Sequence, residues 1–126
     1  MNKAAAKPSV QLDSAMVLTK ALRSAQERLG LTNRVLANVL GTSEASVSRF
    51  NRGRLLDPEG AEGQLALLLL RLFRSLDALV GGDEGRARLW LHAQNGHLGG
   101  TPVDRIQTIE GLVHVVDYLD GMRGHL

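Results

Sequence analysis

Apolar residues recur at helical spacing along most of the chain, and caps and glycines punctuate the runs. Val17 or Leu18, Ala21 or Leu22, Ala25 and Leu29 predict a first helix. Asp13 or Ser14 fits as its N-cap, and Gly30 ends it. Val35, Leu36, Val39 and Leu40 predict a second helix from about Thr32 to Leu40. Gly41 follows, a residue that readily takes the left-handed conformation of a helix stop. A third helix is predicted from near Ser43 to near Arg52, with Gly53 after it. Asp57 and Pro58 suit the cap and first position of a long helix running to Val80. Its apolar stripe holds Leu65, Leu68, Leu69, Leu72, Phe73, Leu76, Leu79 and Val80, with Leu67 and Leu70 beside it. That face is wider than one neighbour covers. Two readings follow: a central helix, or a helix partly covered by another subunit.

Gly81 and Gly82 close this helix. A helix from about Asp83 to Asn95 is expected next, with Leu89, Trp90 and Ala93 inward. After the loop NGHLGG, Thr101 caps a short helix begun by Pro102, and Thr108 caps a last helix to about Gly121. No segment alternates with strand period and none repeats, so the fold class is all-α.

Composition narrows the setting. At 126 residues the chain is one ordinary domain, or two small ones sharing a core. It has no cysteine, which excludes disulfides and thiolate zinc sites and suits a reducing cytoplasm. Residues 1–12 are alanine-rich, interrupted by Pro8 and without periodicity, and are expected to form a flexible arm rather than a signal peptide. The run LALLLL is too short to span a bilayer, so no membrane partner is expected. Charge is divided unevenly. Residues 1–56 carry nine lysines and arginines against three acids, and residues 57–126 carry six arginines against ten acids. A basic front half suits a polyanion, and an acidic back half does not.

Counting twenty positions from Asn33, Ala37 is fifth, Gly41 ninth and Val47 fifteenth. The fifth must be small where two helices cross, the ninth must turn sharply, and the fifteenth docks the following helix. Leu36, Leu40 and Phe50 fall on the same inner faces. Over residues 14–55 this pattern resembles the Xre-type helix-turn-helix of phage-repressor-like regulators. The outer face of the third helix carries Ser43, Glu44, Ala45, Ser46, Ser48 and Arg49. Small polar side chains let a helix sit deep in the major groove of double-stranded operator DNA. Arg49 suits either a guanine edge or a phosphate. Arg52 and Arg54 lie beyond the helix and suit phosphates, as do Asn33 and Arg34 at the start of the second helix. Glu44 accepts from cytosine but opposes a phosphate. The competing reading is a structural helical turn with a solvated face.

In the back half, Asn95, Leu98-Gly99-Gly100, Thr101-Pro102, Thr108, Gly111, Val115, Leu119 and Gly121 form a distinctive series. With Trp90 upstream, residues 60–124 resemble the toxin-binding domain of the Xre/MbcA/ParS antitoxins. His97 and Arg105-Ile106 depart from the usual pattern. The residues also carry a reading of their own. Gly99-Gly100 makes a tight turn into a capped helix. Gly111 allows a close approach. Ile109, Leu112, Val113 and Val116 make one stripe, and Val115, Tyr118, Leu119 and Met122 another. One stripe suffices for a core, which leaves the second for a partner or for burial within the chain.

The resemblance implies an Xre-type antitoxin organised as a 1–12 arm, a 13–56 DNA-binding domain and a 57–126 helical dimerisation and toxin-binding domain. It implies a RES-type toxin partner that destroys nicotinamide dinucleotide, blocked at its active site by the antitoxin's C-terminal region. It also implies repression of the shared promoter. The expected toxin-binding residues are Leu98, Gly99, Gly100, Pro102, Gly111, Val115, Tyr118, Leu119, Met122, Arg123, His125 and Leu126. Arg123, His125 and the carboxylate of Leu126 stand at a free end, suited to charged groups in a dinucleotide pocket.

Other chemistries are not supported. The four histidines match no metal spacing. GGDEGR lacks the lysine of a phosphate loop. The aromatics are too few for a single-strand stacking platform. No nucleophile stands with a base and an orienting group, so a non-enzyme without cofactor or metal is expected. The alternatives to an antitoxin are a regulator whose back half only dimerises and an adaptor that no longer binds DNA. A homodimer reading two half-sites is expected, with the surplus apolar face of residues 65–80 as its contact, alone or with the toxin's help.

Overall fold

A computed structural model describes residues 8–124. The described residues form seven helices: α1 (Pro8–Leu29), α2 (Asn33–Leu40), α3 (Glu44–Phe50), α4 (Ala61–Leu79), α5 (Glu84–His92), α6 (Pro102–Arg105) and α7 (Ile109–Arg123). They contain no strand, only an isolated bridge between Asn95 and Gly100.

α4 is the central helix. It packs against α7, α1, α2 and α5. Ala66, Leu69, Leu72 and Leu76 are fully buried, and Leu65, Leu68, Phe73, Leu79 and Val80 pack half-buried around them. The wide stripe is therefore covered by several neighbours of the same chain, and only Leu67 projects well out of it. Of the two readings of this stripe, the central helix describes most of it. A single core runs from Leu18 on α1 to Leu119 on α7.

Two helix starts differ from expectation. α1 begins at Pro8, so residues 8–12 are helical rather than part of a loose arm. The fixed φ of proline, read from sequence as a break, suits a first helical position. Residues 1–7 lie outside the described part. α4 begins at Ala61 with Gly60 as cap, because Asp57 and Pro58 form a separate turn. Gly60 N donates to Asp57 O at 3.0 Å. The turn crosses α4 so closely that a Cβ on Gly63 would lie 2.0 Å from Asp57 O.

α5 also turns the other way. Ala87 and Leu91 are its buried pair, Leu89 is 73% exposed, Trp90 is half-buried and Ala93 is exposed. The helix ends at His92, and an i,i+4 pair is enough to dock so short an element.

Polar ties join front and back. The Arg28 guanidinium lies 4.9 Å from the Phe73 ring centroid and pairs with Asp77 at 3.4 Å and Glu84 at 3.0 Å. Arg88 of α5 donates to the Glu27 and Arg28 carbonyls at 2.7 and 3.2 Å, which satisfies the open end of α1. Asn38 Nδ2 donates to Gln107 Oε1 at 2.8 Å.

Candidate functional site

The turn between α2 and α3 is built from local signals. Thr32 Oγ1 accepts from Val35 N at 3.1 Å and caps α2. Gly41 closes the helix at φ 67°, and Thr42 N donates to Ala37 O at 2.9 Å. Ser43 Oγ accepts from Ser46 N at 3.1 Å and caps α3. Ala37 and Val47 are buried together with Leu36, Leu40 and Phe50. The small, sharp and apolar positions thus do the work their spacing suggests.

This docking leaves one face of α3 outside. Arg34, Ser43, Glu44, Arg49 and Arg52 are exposed, and Asn33, Ser46 and Ser48 are half-buried. Arg49 Nη1 rests on Ser46 Oγ at 3.5 Å, so the arginine lies along the outer face. Glu44 sits in the first turn of α3, where the helix dipole favours an acid. Asn33 Oδ1 is engaged by Gln26 Nε2 at 2.8 Å. Arg54 departs from the group. Its guanidinium pairs with Glu62 at 2.8 Å and lies 4.8 Å from the Phe50 ring centroid. Arg54 is exposed like the other arginines, but it also has an acidic partner within the chain.

In the back half, Asn95 organises the loop into α6. Its backbone exchanges hydrogen bonds with Gly100, and its Oδ1 accepts from His97 N at 3.0 Å. Gly99 has φ 72° and Gly100 has φ 158°. Thr101 caps α6 and Thr108 caps α7, as expected. Gly111 admits the chain's own backbone: a Cβ there would lie 1.7 Å from Arg105 O. Its glycine is explained without a partner.

The two stripes of α7 are also reassigned. Leu112, Val115, Val116 and Leu119 are all buried, because α4 packs along the whole of that side. Val115 and Leu119, expected on an outward face, are core residues. The exposed apolar positions are Ile109, Val113 and Met122, with Leu89 on α5. Leu98 and Pro102 are buried beneath the loop, Gly99 and Arg123 are exposed, and Gly100 is half-buried. His125 and Leu126 lie outside the described residues. Asp120 accepts from Ser75 Oγ at 2.9 Å and pairs with Arg71, fastening α7 to α4.

One feature had almost no sequence signal. The half-buried Tyr118 ring stacks with Trp90 at 6.4 Å and with His97 at 5.8 Å between centroids. Three elements thus meet in a short ring stack, with His97 exposed at its outer end. His97 interrupts the loop pattern, and only that irregularity pointed to it.

Among the described residues no cluster of histidine and acids is placed to hold a metal, and no helix is long and apolar enough to cross a membrane.

A docked helix-turn-helix with an open outer face, joined by a central helix to a second helical unit, defines a two-part helix-turn-helix protein. Residues 8–71 match the family model of the antitoxin Xre-like helix-turn-helix domain, and residues 75–124 match that of the antitoxin Xre/MbcA/ParS C-terminal toxin-binding domain. The chain belongs to the Xre-type antitoxins, which are toxin-neutralising, DNA-binding proteins. Both matched families are binding families rather than enzymatic ones. A search of the curated proteins found no match.

Proposed function

We propose that this antitoxin neutralises a RES-type toxin, an enzyme that degrades nicotinamide dinucleotide, by covering its active site with the C-terminal region. It also represses its own operon through the helix-turn-helix. It acts in the cytoplasm without catalysis of its own, as a homodimer on two half-sites about one helical turn apart. DNA contacts fall within residues 13–56 and toxin contacts within 57–126.

The observation that carries this reading is the pair of adjacent family matches, which meet within α4. On the DNA side, the exposed Arg34, Arg49 and Arg52 and the small residues of α3 suit a major groove and its flanking phosphates. On the toxin side, Gly99, Tyr118, Met122 and Arg123 offer surface, and His125 and Leu126 are proposed as contacts from outside the described residues. Leu98, Gly100, Pro102, Gly111, Val115 and Leu119 shape that surface, mostly from beneath.

The test is a chain truncated after Gly121, produced with the toxin encoded beside it. Growth arrest and dinucleotide loss should return, although operator binding persists. Full neutralisation by the truncated chain would remove the C-terminal occlusion. If the full chain co-purifies with no toxin yet leaves a discrete footprint, the alternative applies: a regulator whose back half only dimerises.

A further inference from the structure

We propose that Lys20 and Arg23 of α1 form a second grip on the DNA backbone, in a cleft beside the helix-turn-helix. This rests on the DNA-binding reading and extends it to residues outside the recognition face. The cleft is open, has a volume of about 510 Å³, and is lined by Lys20, Arg23, Gln26, Glu27, Asn33 and Asn51 among others. Its walls come from α1, from Leu31 in the turn after it, from the first residue of α2 and from the residue just after α3. It therefore opens at the edge of the unit that enters the groove. A phosphate backbone borders the major groove on each side, within reach of such an edge.

The chemistry suits a phosphodiester. Arg23 Nε donates to the neutral Asn51 Oδ1 at 2.9 Å, which orients the guanidinium and leaves its charge uncompensated. Neither Lys20 nor Arg23 forms an ion pair among the described residues. The amides of Gln26 and Asn33 are bonded to one another, so that wall is fixed. Glu27 is the one acid among the lining residues, against two cations. Lys20 and Arg23 would add two cations to those on the seven-residue α3 and its flanks. Protein–DNA affinity depends strongly on such cations. The open form of the cleft suits a strand passing over it rather than an enclosed small anion.

The test compares the full chain with Lys20→Gln/Arg23→Gln and with the charge-keeping Lys20→Arg/Arg23→Lys. Each is titrated over a salt series with duplex DNA from just upstream of its own reading frame, and with an unrelated duplex of equal length. The neutral variant should lose slope in log affinity against log salt by about 1.8, from two contacts of about 0.9 each. The affinity ratio of the two duplexes should stay the same, and the charge-keeping variant should retain the slope. An unchanged slope in the neutral variant would sink the inference while leaving DNA binding intact. Competition by inorganic phosphate, at constant ionic strength, that is lost in the neutral variant would support it, since the free anion would then displace a backbone phosphate from this cleft. A wild-type chain that binds neither duplex at low salt would overturn the DNA-binding reading and this inference together.

Discussion

Gly41 and Gly111 set the two halves of the molecule against each other. At Gly41 the backbone has φ 67° and a Cβ would meet nothing closer than Leu65 Cδ1 at 4.0 Å. The glycine is there for its conformation, which turns the chain and exposes α3. Gly111 sits in an ordinary helix, but a Cβ there would collide with the Arg105 carbonyl. It is there for space. In the front half, local turn chemistry creates an exposed face. In the back half, close packing consumes faces that the sequence leaves open.

The largest expected effect breaks the second case. Gly111→Ala forces a methyl into a backbone carbonyl, and neither α7 nor the α6 turn yields cheaply. It should cost about 3 kcal/mol or more of stability. Because α4 joins both halves in one core, thermal melting should lower DNA binding and toxin neutralisation together. A stable variant that lost only toxin binding would instead make Gly111 a partner contact.

A smaller effect sharpens the first case. Arg49→Ala should weaken operator binding by about 1–3 kcal/mol if Arg49 reads a base. The loss should be greater on the operator than on an unrelated duplex. Equal loss on both would make it a phosphate contact. The smallest effect concerns Arg54. Its pair with Glu62 is partly exposed, so Arg54→Ala should change stability by about 1 kcal/mol or less. It should leave the salt dependence of DNA binding as it is. A slope shallower by about one unit would show that Arg54 leaves Glu62 to hold a phosphate.

Much of the DNA-facing half was legible because its signals are local. Thr32, Ser43, Thr101 and Thr108 each cap a helix within three residues of their own position. Ala37, Gly41 and Val47 act within one two-helix unit. The partner-facing half was legible as a family pattern but not as a surface. Leu89 was expected inward and is exposed, while Val115 and Leu119 were expected outward and are buried. Periodicity shows that a helix has an apolar face, but it does not say how many neighbours will cover it.

Sequence alone thus determined the all-α class, the caps at Thr32, Ser43, Thr101 and Thr108, the sharp turn at Gly41 and the division of charge, since these depend on residues close along the chain. Tertiary structure decided which stripes of α4 and α7 are core, that Arg54 is held by Glu62, and that Trp90, Tyr118 and His97 stack. It also placed Lys20 and Arg23 of α1 beside Asn51. Each of these depends on elements far apart in sequence meeting across one core, and no local preference encodes which side of a helix its distant neighbour will take.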